Sequence, residues 1–331
     1  MSKAAAAFAL ALSAMLFSCG DKADSLLPQS GGRPYEVVVV SDDESCADIA
    51  DSILSQADEC LPQDEPLFDV SKTTRRRFGQ AAKLARNIVI VTADSSQFTR
   101  TRIRYEKNAW ARPQMVVYIT TPSAERFRHD MASSGGKVTK LLTRAEMNAA
   151  ISGLKDENNV KAEKLAAKAL GVSILIPKDM ASSKKGHDFL WLSNNASSGM
   201  QNICIYRYAG TKLDAGQAVA VRDSIMKANI PGERSGMYMQ TSASGVRTSM
   251  ERVKGRDIMV TRGLWEMHGD AMGGPFVAHS LVDSAKGTIV VAEAFVYAPE
   301  RKKRNLIRSA EAAIYTIETM KAQSKGKAVR P

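Results

Sequence analysis

The chain has 331 residues, 44% hydrophobic and 24% charged, with 46 Lys and Arg against 35 Asp and Glu and a net charge of +11. This apolar share, with no long repeats or low-complexity tracts, excludes a disordered chain, and the length points to one large or two medium domains, two being favoured. In an exported chain the basic balance points to anionic lipid, cell-wall carboxylate or acidic glycan and not to nucleic acid.

The first element is an export signal. Met1-Ser2-Lys3 gives a short positive start, and residues 4–17 are an almost unbroken run of Ala, Leu, Phe and Met, the two leading regions of a signal peptide. About 14 apolar residues fall short of the roughly 20 that span a bilayer. The run ends in Leu16-Phe17-Ser18-Cys19, which resembles the lipobox of bacterial lipoproteins. That resemblance implies a signal peptide of residues 1–18 and a lipid on Cys19. The expected place is the bacterial cell envelope, on the outer or inner membrane, with the body facing the periplasm because the next acids are only Asp21 and Asp24. Residues 19–33, a polar stretch containing Gly, Ser and Pro, read as a flexible tether. Residues 321–331 read as a disordered basic tail.

Four cysteines leave three once Cys19 is acylated. Cys46 and Cys60 are the pair an oxidising compartment favours. Fourteen helical residues would set them about 21 Å apart, beyond disulfide reach, so a bridge requires the helix to end before Cys60. Cys204 reads as a small buried hydrophobe.

Residues 34–155 are expected to form a first domain. A β-branched run at 35–40 leads into a helix through Ser41 and Glu44 at capping-box spacing. Asp42, Asp43 and Glu44 crowd its first turn and would repel an anion, which excludes a nucleotide site there. Strands are expected at 87–92 and 114–120, then a helix with Pro122 at its first position and another opened by Thr143 and Glu146 over 147–154. The cations Arg75-Arg76-Arg77 and the row Arg100, Arg102 and Arg104 stand out. On an extended backbone the last three share a face. They fit two readings: a row that binds carboxylates or phosphates, or a solvated edge whose charge prevents aggregation.

A second domain is expected over 156–320. A helix at 160–170 stops at Gly171, strands follow at 172–176, 188–192 and 201–207, and Asp214 with Gln217 opens a helix presenting Ala218, Val221 and Ile225. Extended segments at 257–268, 275–282 and 288–297 read as an antiparallel sheet with helices on one side. A last helix over 301–320 carries Leu306, Ala310, Ala313, Ile314 and Ile317 on one stripe, with Arg301 to Arg304 at the unfavourable end of its dipole. The fold class is therefore α+β, mixed α/β being open for the N-terminal half, in two-layer sheet-and-helix domains.

The least ordinary stretch runs from Gly263 to Phe276. The lipobox start, Trp265-Glu266-Met267 through Met272-Gly273-Gly274-Pro275-Phe276, and Ala294 to Pro299 followed by Lys302-Lys303-Arg304 together resemble an uncharacterised Bacteroidetes lipoprotein family, domain of unknown function 4837. The resemblance implies an envelope location and carries no activity. Glu266, His268 and Asp270 alternate with Trp265 and Met267, so an extended backbone would align three side chains suited to a divalent metal or to general-base chemistry. The bland reading is a strand with a wet polar face and a glycine hairpin at Gly269, Gly273 and Gly274. Trp265, Gly273, Gly274, Phe276, Arg100, Arg102 and Arg104 are binding candidates. Ser182-Ser183-Lys184-Lys185 and Ser224 to Lys227 fit Ser-x-x-Lys and Ser193-Asn194-Asn195 fits Ser-x-Asn, but Ser182 and Ser193 lie too close in sequence and Lys-Thr-Gly is absent, which argues against a penicillin-recognising site. No cofactor is expected. The preferred reading is a non-catalytic lipoprotein binding an envelope protein or anionic polymer. The alternative is an envelope hydrolase, metal-dependent or acid/base, built on Glu266, His268 and Asp270.

Overall fold

The computed structural model describes residues 27–58 and 60–320. The expected signal peptide, the expected lipidation site Cys19, most of the expected tether and the C-terminal residues 321–331 lie outside the described residues. The chain divides into two compact units: one comprises the chain up to Gln56 with Phe68–Ala145, the other Ala57–Leu67 with the chain from Glu146 onward.

The N-terminal unit is built from β1 (Glu36–Val40), α1 (Glu44–Leu54), β2 (Asp69–Thr73), a 3-10 turn at Arg75–Arg77, α2 (Gln80–Lys83), β3 (Asn87–Ala93), β4 (Arg102–Lys107), β5 (Met115–Thr121) and the larger part of α3 (Ala124–Asp156), whose residues from Glu146 on belong to the second unit. Its sheet runs β2-β1-β3-β5-β4. The first four strands are parallel, and β4 joins β5 antiparallel at the edge. Parallel strands are buried on both faces, which is why β1 and β3 read as continuous β-branched runs. In α1 the buried residues Cys46, Ile49, Ala50 and Leu54 recur at helical spacing.

Several local expectations change. The α1 cap is Asp43, whose side chain accepts the Cys46 N–H at 2.9 Å, while Ser41 Oγ accepts the N–H of Asp43 at 3.2 Å. Pro122 lies outside α3; Ser123 starts it, its carbonyl accepting the Phe127 N–H at 3.0 Å and its Oγ the Arg126 N–H at 3.3 Å. Thr143 and Glu146 do not open a helix, because α3 runs through them unbroken. Gly135 and Gly136 cost about 1 kcal/mol each in a helix interior. The buried stripe of Phe127, Met131, Val138, Leu142 and Met147 offsets that cost, at roughly 1.5–3 kcal/mol per fully buried large side chain.

The C-terminal unit holds α4 (Val160–Leu170), β6 (Val172–Ser173), β7 (Ser182–Gly186), β8 (Phe189–Ser193), β9 (Met200–Ala209), α5 (Ala215–Asn229), β10 (Tyr238–Val253), β11 (Arg256–His268), β12 (Gly273–Asp283), β13 (Thr288–Tyr297), α6 (Arg304–Ile314) and β14 (Glu318–Thr319). Seven strands form an antiparallel sheet in the order β10-β11-β12-β13-β9-β8-β7. The α+β class holds, but helices cover both faces of this sheet and not one. Val260, Val277, Val290, Ala292 and Ala294 pack with α4 and α6. Their strand neighbours Cys204, Tyr206, Phe276, Ala278, Val291 and Phe295 pack with Met226 and Ile230 at the end of α5. Eight consecutive residues of β13 are buried, the mark of a strand enclosed on both faces.

Two further elements depart from the sequence pattern. The strand expected over 172–176 is only two residues long, and α6 ends at Ile314 because Glu318 and Thr319 turn to pair with β6. The inward face of α5 is Arg222 and Met226; Ala218, Val221 and Ile225 are half-buried beside them.

Candidate functional site

The segment from Gly263 to Phe276 is core and turn. Trp265 and Phe276 are buried, and the Trp265 indole N–H donates to the Val296 carbonyl at 3.1 Å. A Cβ on Gly273 would come within 2.8 Å of the Trp265 carbonyl oxygen and one on Gly274 within 2.1 Å of the Val296 oxygen, so both glycines answer to close backbone packing. These four residues offer no exposed binding face.

Glu266, His268 and Asp270 do not converge. Glu266 Oε1 accepts from Gln240 Nε2 at 2.8 Å, and the His268 ring stacks on Tyr238 with centroids 4.8 Å apart. β11 ends at His268, the chain turns at Gly269 with φ 84, and Asp270 Oδ1 accepts the Ala271 N–H at 2.6 Å. The alternation that would align the three stops before the third. Among the described residues no group of three His, Cys, Asp or Glu can hold a metal ion.

The C-terminal unit instead buries two ion networks that hydropathy reading missed. Under α5, Arg222 and Glu293 are 2% and 0% exposed, and the guanidinium donates to the carboxylate through Nε at 3.1 Å and Nη2 at 2.7 Å. Arg222 also lies 3.9 Å from the Phe276 ring and donates to Thr241 Oγ1 at 2.9 Å. Burial disfavours its charge, and the Glu293 carboxylate more than restores it.

Under α6, Glu311 takes a two-pronged contact from Arg262, with Nη1 at 3.0 Å, and a further bond from Arg308 at 3.3 Å. Arg308 in turn reaches Asp58 at 2.7 Å. Burial pushes the Glu311 carboxyl up, but Arg262, the neighbouring His279 and Arg308 hold it well below the usual carboxylate range. His279 Nε2 lies 3.7 Å from Glu311, and neither ring nitrogen finds a hydrogen-bond partner. Arg301 to Arg304 are also explained: Glu65 accepts the backbone N–H groups of Lys303 at 2.6 Å and Arg304 at 3.0 Å, supplying the negative charge that this helix start lacks.

Among the described residues Cys46, Cys60 and Cys204 are free. Burial pushes the Cys46 thiol up to about 12 and raises Cys60 and Cys204 too. None carries the thiolate that reactivity at neutral pH requires. A cavity of about 300 Å³ in the N-terminal unit is lined by Glu36, Val38, Asp69, Val70, Ser71 and Arg86 among others.

The Arg row falls on the edge of the N-terminal sheet. Arg102 and Arg104 lie in β4, while Arg100 sits in a bend before it, so two of the three share a strand face. All six residues of β4 are exposed. The Arg104 guanidinium lies 3.7 Å from the Tyr118 ring, a cation–π contact with its opposite residue on β5. On the other strand face Ile103 and Tyr105 are 38% and 57% exposed.

Residues 159–316 match a family described as Domain of unknown function (DUF4837), and residues 30–155 match a second, Domain of unknown function (DUF8532). No curated protein matches the sequence. Among solved structures, the 1.9 Å crystal structure of the Saccharomyces cerevisiae Ran-binding protein Mog1p aligns at a TM-score of 0.30 and 10% identity, covering 45% of this chain and 90% of its own. A point mutant of Mog1 aligns at 0.30 and 9%, covering 46% and 92%. At these values nothing about this chain follows.

Proposed function

We propose, for a chain whose residues 159–316 match the family described as Domain of unknown function (DUF4837), that it is a lipid-anchored cell-envelope protein whose body binds a partner and does not catalyse a reaction. The anchor reading is supported by the apolar run and lipobox ending at Cys19. Each buried acyl methylene contributes about 0.8 kcal/mol, and more than one chain is needed for stable attachment. Among the described residues no helix is long and apolar enough to cross a membrane.

The observation that carries the binding reading is β4: an edge strand with every side chain exposed, two arginines on one face and an aliphatic–aromatic pair on the other. The buried carboxylates Glu293 and Glu311 are committed to arginines, which leaves neither free as a base. The hydrolase alternative gains nothing from Glu266, His268 and Asp270, each of which has its own separate contact. Fractionation of cells expressing the Cys19→Ala chain tests the anchor: the protein leaves the membrane fraction if the reading holds, and stays there if it does not. Binding is tested by cross-linking from β4 in cells, with Arg102→Ala/Arg104→Ala as the variant that reduces it.

A further inference from the structure

Resting on the binding reading above, we propose that the outer edge of β4 receives an extended, acidic segment of a partner protein by strand addition. Among the described residues the sheet ends at β4, which is hydrogen-bonded to β5 alone, so one side of its backbone is open to a further strand. Arg102, Arg104 and Glu106 point to one face and Ile103, Tyr105 and Lys107 to the other. A strand added along this edge places alternate side chains on both faces. Acids opposite Arg102 and Arg104, with apolar residues opposite Ile103 and Tyr105, form favourable cross-strand pairs. The stacking of Arg104 on Tyr118 fixes that guanidinium in advance and lowers the ordering cost of binding.

The other edges are guarded differently. β7 reads Ser182-Ser183-Lys184-Lys185-Gly186, β10 is broken by a register shift between Thr241 and Val246, and on β2 Lys72 is tied to Asp48 at 2.7 Å. Charge alone would protect an edge, but it does not account for Ile103 and Tyr105 standing exposed beside the arginines. An anionic polymer would engage one face of β4 only. A second copy of this chain is disfavoured because the strand carries three cations and one acid.

The test uses the full chain carrying Cys19→Ala, so that it does not depend on the anchor. The probe is an eight-residue peptide alternating glutamate and valine. Strand addition predicts slowed hydrogen exchange at β4 amides, with Arg102→Gln and Tyr105→Ser each weakening binding about two- to five-fold. A lysine–valine peptide should bind more than tenfold worse. The proposal is overturned if no β4 amide is slowed, or if a glutamate peptide interrupted by prolines binds equally, which would indicate anion binding alone. It is also overturned if the same amides slow with protein concentration in the absence of peptide, which would indicate a second copy. If the peptide fails while cross-linking from β4 in cells persists and depends on the arginines, strand addition falls and the binding reading stands; loss of both removes both.

Discussion

Arg222 and Glu293 are 71 positions apart and meet with both side chains buried. Removing one partner of such a pair leaves an uncompensated buried charge, at about 3–5 kcal/mol, whereas replacing both by apolar residues of similar volume is often close to neutral. We expect Arg222→Ala to destabilise the C-terminal unit by about 3–5 kcal/mol, and Arg222→Met/Glu293→Leu by less. Urea unfolding followed by Trp191 and Trp265 fluorescence in a Trp110→Phe background checks this. Glu311 gives a pH signature. Its carboxyl is depressed in the folded state from an ordinary value of 4.5, so its stabilisation is fully present above that value and declines as the pH falls below it toward the folded value. Glu311→Gln should therefore flatten the acid limb of the stability profile; an unchanged acid limb would show that Glu311 is not held by Arg262 and Arg308. Neither pair was legible in the sequence. An arginine on the inward face of α5 looks like an interruption of a hydrophobic stripe until its partner arrives from a strand 71 residues away.

At the scale of elements, α6 begins with cations and no side-chain cap, and its missing negative charge comes from Glu65, within the Ala57–Leu67 segment that belongs to the C-terminal unit. Hydrogen bonds to a charged group contribute about 1.5–3 kcal/mol. Glu65→Ala should lower the stability of that unit by a similar amount and speed amide exchange at Lys303 and Arg304, while β1 and β3 keep their protection; unchanged exchange at those two amides would refute the capping role. Strands β1, β3, β5, β11, β12 and β13 were legible because β-branched and apolar runs dominate them. β10 was not: its polar sequence, with three serines and two arginines, becomes a strand only by pairing with β11. Thr143 and Glu146 show the opposite error, a local capping signal overruled by the continuous buried stripe of α3.

For the whole molecule, the α+β class was readable from strand and helix periodicity, and the segmental exchange of Ala57–Leu67 was not, since nothing in its composition marks it as part of the later unit. Of the candidate site, the extended Arg row was visible in the sequence, whereas the Trp265 to Phe276 segment drew notice for residues that turn out to be core. We propose above that the body of the protein, anchored through Cys19, engages a partner along β4. This proposal is tested most directly by a photo-crosslinker placed at Tyr105 in intact cells, with the same group at Lys72 on the opposite edge as control. The account predicts a discrete protein adduct in the membrane fraction from position 105, absent from position 72 and lost with Arg102→Ala/Arg104→Ala. An adduct of equal yield from both positions, or one indifferent to the arginines, would contradict it.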